Sequence, residues 1–308
     1  MPSKRILIAG GAGFIGSALL NALAVAHPDA ELWATVHSRD PAPKVPRVRY
    51  MECDLTCRAG WDAALLSRPD LVYMAAGKSG GSGLDPLHFV TDNALMHLHM
   101  FRSCAQHGVG RIIAMSSTTG YPDTGAPMRE DDYFEGELHP AYFNPGHTRR
   151  FIERLGAMYP QIATTFIRVS GVYGPGADFD PASSHVIEAT IRKVAERQDP
   201  IVLWGDGHAW RDALYIDDLA AALVQCAAWP AGAYNFASGT GMTVNNMLHT
   251  LLAHAGHEPR VERDLSRPQM IAARRLDWTR AESFGWTPTV AMREGLIRTL
   301  DWFEAQRG

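Results

Sequence analysis

The segment Gly10-Gly11-Ala12-Gly13-Phe14-Ile15-Gly16 constrains this chain more than any other. It stands between a short apolar run, Arg5-Ile6-Leu7-Ile8, and Ser17–Ala26, where Leu19, Leu20 and Leu23 fall on one helical face. Gly10, Gly13 and Gly16 therefore lie in a strand–turn–helix context with GxxGxxG spacing. Glycines let such a turn tighten and let a pyrophosphate approach the backbone. The N–H groups and dipole of the helix start then favour the anion.

The rest of the chain repeats the strand–helix alternation. Strands are expected at Glu31–His37, Val48–Met51, Leu71–Ala75, Arg111–Met115 and Thr164–Val169. Asp85–His107 is a long helix candidate, and Phe151, Ile152, Leu155 and Met158 mark another. Nearly unbroken apolar strands separated by helices predict an α/β fold, a doubly wound parallel sheet of the Rossmann type. After about residue 170 the texture changes: Gly171, Gly174, Pro175, Gly176 and Pro181 crowd together. Helices are expected there at His185–Glu196, Asp217–Ala228, Val244–Ala255 and Met292–Ala305. This later part reads as a smaller C-terminal region over the carboxyl edge of the sheet, where open α/β sheets bind ligands.

Composition excludes several classes. Apolar residues at 46% and charged residues at 20% of 308 describe a globular chain. A formal charge of −4 leaves no basic footprint for nucleic acid. No apolar run is long enough for a membrane helix, and the N-terminus does not read as a signal peptide. Cys53, Cys57, Cys104 and Cys226 are too few for a disulfide scaffold and read as reduced thiols in a cytoplasmic protein. His88, His97, His99 and His107 on the long helix form no coherent ligand set, so no metal is expected.

The end of the second strand selects between dinucleotides. An acid there suits the ribose 2′-hydroxyl of NAD, and an arginine suits the 2′-phosphate of NADP. The stretch His37-Ser38-Arg39-Asp40 offers Ser38 and Arg39 for NADP, with Asp40 keeping NAD as the alternative.

With Asp54-Leu55, Ala75-Ala76, Ser116-Ser117 and Val172-Tyr173-Gly174-Pro175 added, the chain resembles the extended short-chain dehydrogenase/reductases, the NAD-dependent epimerase/dehydratase group. Within it, the chain is similar to the GDP-L-fucose-synthase-like GDP-sugar epimerase/reductases. Val72–Gly81, Ser183-Ser184-His185-Val186-Ile187, Trp204-Gly205-Asp206-Gly207 and Arg211–Asp218 carry that similarity. The resemblance implies an NADP-binding domain over 1–170 and about 208–240, and a substrate-binding domain over 171–207 and 241–308. It further implies that Asp54 and Leu55 approach the adenine. Ala75, Ala76, Gly77 and Lys78 would line the pyrophosphate side, with Asn93, Ser116, Val169 and Val172 also at the cofactor.

The same resemblance exposes a break. The family's Ser is matched by Ser117, but its Tyr and Lys, four residues apart on the next helix, are not both present. Anchoring on Tyr142 puts Gly146 at the Lys. Matching the flanks without gaps puts Pro145 at the Tyr and Arg149 at the Lys. Asn144 as N-cap and Pro145 at the first helical position favour the second register, with Tyr142 in the preceding loop. Arg149 keeps a positive charge near the ribose but not a lysine's adjustable pKa. Proton exchange would then fall to Tyr142, His147 or His185, the last matching the family's second acid/base.

On the substrate side the resemblance points to Ser117, His185, Lys193, Trp204 and Arg211, the basic residues facing the diphosphate. Gly171 and Pro268-Gln269-Met270 depart from the family pattern, so the pocket near the guanine or sugar differs. The implied reaction is epimerisation or 4-keto reduction of a nucleoside-diphosphate sugar. A dehydratase or lyase, and a non-catalytic binder of NADP or a sugar nucleotide, are the alternatives. A homodimer is implied through a four-helix bundle, with apolar surface expected from Leu95, Leu98, Met100, Phe101, Phe151 and Leu155.

Overall fold

The computed structural model describes residues 4–37, 45–78, 86–266 and 275–307. The first half runs β1 (Arg5–Ala9), α1 (Phe14–Ala26), β2 (Glu31–Val36), β3 (Val48–Glu52), α2 (Arg58–Leu65) and β4 (Leu71–Met74). It continues through α3 (Pro86–Gln106), β5 (Arg111–Ser117), α4 (Phe143–Ala157) and β6 (Ala163–Val169). Then follow β7 (Gly171–Tyr173), α5 (Val186–Ala195), β8 (Ile201–Trp204), β9 (Trp210–Arg211) and β10 (Ala213–Tyr215). The chain closes with α6 (Ile216–Gln225), β11 (Gly232–Phe236), β12 (Met242–Thr243), α7 (Val244–Ala255), β13 (Val261–Asp264), α8 (Thr279–Glu282) and α9 (Met292–Ala305).

Seven strands form one parallel sheet in the order β11-β6-β5-β4-β1-β2-β3. Side chains alternate across it, which is why the strands read as unbroken apolar runs. Ile6 and Ile8 pack with Leu19, Leu20 and Leu23 of α1 on one face. Leu7 and Ala9 pack with Met100 and Phe101 of α3 and Ile152 of α4 on the other. A third cluster, with Ile187, Ile191, Met247, Leu251, Leu296 and Leu300, joins α5, α7 and α9 in the later part of the chain. The fold is the Rossmann-type doubly wound sheet expected from the alternation. Among the described residues no helix is long and apolar enough to cross a membrane.

Several expectations need correction. The seventh strand, β11, and the short helices α2 and α8 escape the sequence reading; β11 opens on a glycine and carries Asn235, so its pattern is weak. Helix α4 begins at Phe143, two residues before Pro145, and Asn144 is helical with its carbonyl accepting from Thr148 Oγ1. Pro145 is tolerated because first-turn N–H groups have no intrahelical acceptor. Met100, Phe101 and Leu155 are spent on the core, leaving Leu98 and Phe151 as the exposed members of the expected apolar face.

One buried polar network ties α4 to the sheet. Arg168 of β6 grips Glu153 of α4 with two bonds, Nη2 to Oε2 at 2.6 Å and Nε to Oε1 at 3.0 Å. Ser116 Oγ also donates to Glu153 Oε1, at 2.6 Å. Arg168 Nη1 donates to the Glu130 carbonyl at 2.6 Å and to the Tyr121 hydroxyl at 3.2 Å. The Tyr133 ring lies 3.6 Å from the guanidinium carbon. Tyr121 in turn donates to Asn235 of β11 at 2.6 Å. Ion pairing raises the Arg168 pKa further above its usual range, and burial pushes Tyr121 up to about 12.

Glu188, in the first turn of α5, is buried without such help. Its Oε2 has no hydrogen-bond partner among the described residues. Burial, reinforced by Asp178, raises its carboxyl to about 7.

Two outcomes follow for urea unfolding. Glu153→Leu strands the Arg168 charge and should cost about 3–5 kcal/mol, whereas Glu153→Leu with Arg168→Met should recover part of that loss; a double variant as destabilised as the sum of the two singles would reject the pairing. Glu188 stabilises the fold while protonated: its contribution is intact below pH 4.5 and is lost as pH rises to about 7. Glu188→Gln should therefore gain on wild type by roughly 3 kcal/mol between pH 4 and pH 8, and parallel stability curves for the two proteins would show that the carboxyl is not held protonated.

Candidate active site

The strand order reverses between β1 and β4, the switch point where doubly wound sheets bind ligands. The turns leaving these two strands touch. Gly10 adopts φ +87°, and a Cβ there would lie 2.7 Å from the Ala76 backbone, so only glycine fits. The Gly10 amide donates to Thr35 Oγ1 at 3.0 Å, and the Gly13 amide donates back to the Gly10 carbonyl at 3.0 Å. Gly13 caps α1 without a side-chain bond, the first turn holds no acid, and Gly16 is buried in it. The helix start thus presents backbone N–H groups and a positive dipole end, a cradle that fits a dinucleotide pyrophosphate. Phe14 reaches Gly176 across the turn, and Ile15 packs between two core clusters.

Around this cradle the expected cofactor residues take distinct places. The Ala75 amide donates to the Ala9 carbonyl at 3.0 Å, and Asn93 bonds both ways with the Lys78 backbone at 3.2 Å. The Lys78 ammonium is exposed, 4.0 Å from Asp92. Asp54 Oδ1 accepts from the Thr56 amide and hydroxyl at 2.9 and 2.6 Å, which holds its carboxyl below the usual range and shapes the turn into α2. Leu55 is buried in the core beneath it, and its carbonyl accepts from Trp61. Val169 ends β6 and is buried, and Val172 packs between clusters. Ser38, Arg39 and the stretch Pro268–Met270 lie outside the described residues.

The region after β5 decides how a catalytic set could be built. Ser116 points at Glu153, and Ser117 Oγ accepts from Thr119 N and Thr119 Oγ1, both at 3.2 Å. Gly146 lets α4 press on this turn: a Cβ there would come within 2.5 Å of the Thr119 carbonyl. A lysine at 146 is sterically excluded. Arg149, one turn on, points inward and donates from Nη1 to the Met115 carbonyl at 3.2 Å. Its Nη2 lies 3.9 Å from where a Gly77 Cβ would be. Burial lowers its pKa, partly offset by Tyr133 and Glu153.

Tyr142 closes the turn before α4 and acts electrostatically on Arg211. His147 is exposed against the Phe143 ring at 4.6 Å. His185 is the exposed N-cap of α5. Arg211 is half-buried on β9, with burial lowering its pKa, and Nη1 donates to the Trp210 carbonyl at 2.8 Å. Trp204 ends β8 with 58% of its surface exposed, so it is no core aromatic. Lys193 donates to the Val202 carbonyl at 2.6 Å, which ties its ammonium to β8. Sequence reasoning missed Tyr133, Glu153 and Arg168 as supports of the site. An arginine inside an apolar strand run was the available signal.

Known proteins place this geometry. The family model "NAD dependent epimerase/dehydratase family" matches residues 6–237. The GDP-L-fucose synthase of Escherichia coli is 27% identical over 98% of this chain and 97% of its own length. A putative GDP-L-fucose synthase 2 of Oryza sativa is 30% identical over 96% of this chain and 85% of its own. Among solved structures, a UDP-glucose 4-epimerase of Thermotoga maritima with UDP-glucose superposes with TM-score 0.87 at 22% identity, covering 99% of this chain and 100% of that one. A GDP-D-glycero-L-gluco-heptose synthase of Campylobacter jejuni, determined in the presence of NADPH, gives 0.84 at 16% identity, with 99% of both chains covered. The model's span, together with relatives aligned along almost the whole chain, settles the kinship: this chain belongs to the NAD-dependent epimerase/dehydratase family.

Proposed function

We propose that the chain is a nicotinamide-dependent enzyme that epimerises or reduces a nucleoside-diphosphate sugar, with NADP as cofactor and a GDP-sugar as substrate. The observation that carries this reading is the contact between the Gly10 turn and Ala76 across the switch point, beside a helix start with neither side-chain cap nor acid. Bound there, the nicotinamide would supply hydride transfer. Arg149, on the Gly77 side, would hold the ribose hydroxyls, and Arg211 the diphosphate of the substrate. GDP-L-fucose synthases as curated relatives favour the guanine nucleotide.

The proton chemistry is rebuilt from other groups. Pro145 has no hydroxyl, and an arginine does not titrate near neutrality. Tyr142, which ends the turn before α4 and acts electrostatically on Arg211, is the group we assign to exchange the proton of the reacting hydroxyl, with Ser117 orienting it. His185 serves the proton at a sugar carbon, in the manner of a side chain suited to exchange near neutral pH. The proposal also includes a cytoplasmic homodimer across α3 and α4, where Leu98, Phe151 and Met158 are exposed.

Two measurements test this reading. NADPH should bind more tightly than NADH by about ten- to a hundredfold, a charge-assisted contact, and Arg39→Ala should remove most of the gap; equal affinities in the wild type would return the cofactor to NAD. With a GDP-4-keto sugar, Tyr142→Phe should cut kcat by about 10²–10⁴ at unchanged NADPH affinity. His185→Ala should stop deuterium uptake from solvent at the sugar carbon. Wild-type protein that binds NADPH but neither turns over nor exchanges deuterium would instead be a non-catalytic binder.

A further inference from the structure

His139 caps the single turn Pro140–Tyr142 that leads into α4. Its Nδ1 accepts a hydrogen bond from the Ala141 amide at 3.1 Å. A backbone amide only donates, so Nδ1 is bare and the neutral ring carries its hydrogen on Nε2. That Nε2 lies 4.0 Å from Asp123 Oδ2, whose charge favours the same tautomer. The His139 carbonyl also accepts from the Tyr142 amide, at 2.8 Å. The two rings stand 6.1 Å apart, within the range of packed aromatic side chains.

His139 thus takes both amide hydrogens that this turn has to give, since Pro140 has none. It also joins two segments between β5 and α4. One runs out of β5 through Ser117 to Asp123, and the other leads through Leu138 to Tyr142. Pro122 and Leu138 form an isolated antiparallel bridge between them. Arg150 of α4 reaches both segments, donating to the Gly120 carbonyl at 2.8 Å and to the Gly136 and Glu135 carbonyls at 3.0 and 2.8 Å. Past that bridge, Pro140 and Ala141 are exposed, and the contact of His139 with Asp123 carries the connection on to the turn.

We propose that His139 is a positioning residue for Tyr142: its bare Nδ1 and its carbonyl fix the turn that presents the phenol, and Asp123 holds the ring to the segment running out of Ser117. This rests on the reading of Tyr142 as the group that exchanges the proton of the reacting hydroxyl. Ser117 and Tyr142 belong to different segments, and a misplacement of about 1 Å at a reacting pair can cost a hundredfold in rate. The imidazole sets that placement through the turn, as a hydrogen-bond acceptor. It acts on Tyr142 and not on the substrate.

The experiment measures kcat with a GDP-4-keto sugar, and NADPH affinity by calorimetry, for wild type and four variants. His139→Leu, which removes the acceptor, should lower kcat by about two- to thirtyfold, the worth of a lost cap, at unchanged NADPH affinity. His139→Asn, whose carboxamide oxygen can accept from the amide two residues on, should restore most of that loss. Tyr142→Phe should remove the step that His139 serves, so adding His139→Leu to it should lower kcat no further. Wild-type kcat in His139→Leu, a parallel loss of NADPH affinity, no restoration by His139→Asn, or losses that multiply in the double variant each overturn the proposal while Tyr142 keeps its role. A silent Tyr142→Phe, or wild type without turnover, overturns the reading of Tyr142 and this proposal with it. Should His139→Leu not fold, nitrogen NMR of the wild type decides: Nδ1 bare and Nε2 protonated in the neutral ring. A hydrogen on Nδ1 overturns the proposal.

Discussion

The two-pronged bond between Glu153 and Arg168 is the interaction on which the candidate site depends. Two charges removed from water are tolerated only when every remaining donor and acceptor is filled. Here that condition recruits Ser116 from β5, the Glu130 carbonyl, and the hydroxyl of Tyr121, which passes the connection to Asn235 on β11. The pair therefore fixes α4 against the strand that ends at Ser117. Because Arg149 precedes Glu153 by one turn, the same bond sets where the Arg149 guanidinium can point.

That arrangement gives the departure from the expected tyrosine–lysine pair a physical form. Gly146 brings α4 so close to Thr119 that no side chain can occupy the position, and the positive charge enters the interior from 149. An arginine there is a permanent cation, held by a carbonyl on one side and an aromatic and acidic environment on the other. It can hold hydroxyls but cannot follow a proton. The side chains proposed to handle protons lie off the body of this helix: Tyr142 ends the turn before α4, and His185 caps α5.

The cations expected on the substrate side divide in the same way. Lys193 is engaged by the Val202 carbonyl and so buttresses β8, while Arg211 is half-buried where burial makes its charge more effective. Trp204 stands exposed at the end of the same strand. Residues that look alike as candidate ligands in a sequence thus differ once their own backbone partners are known.

Determined by the sequence alone were the parallel sheet, the glycine turn with α1 behind it, and the helices over 244–255 and 292–305, because strand and helix periodicities and turn glycines act over a few neighbouring residues. The start of α4 was misjudged by two residues, since capping preference yielded to the turn at Pro140–Tyr142. Only the tertiary structure decided the Glu153–Arg168 bond, the pairing of β11 with β6 and the inward course of Arg149 to the Met115 carbonyl. Each of these rests on burial and on partners distant in the chain, and a buried charge or lone pair acquires its energy from what surrounds it in space.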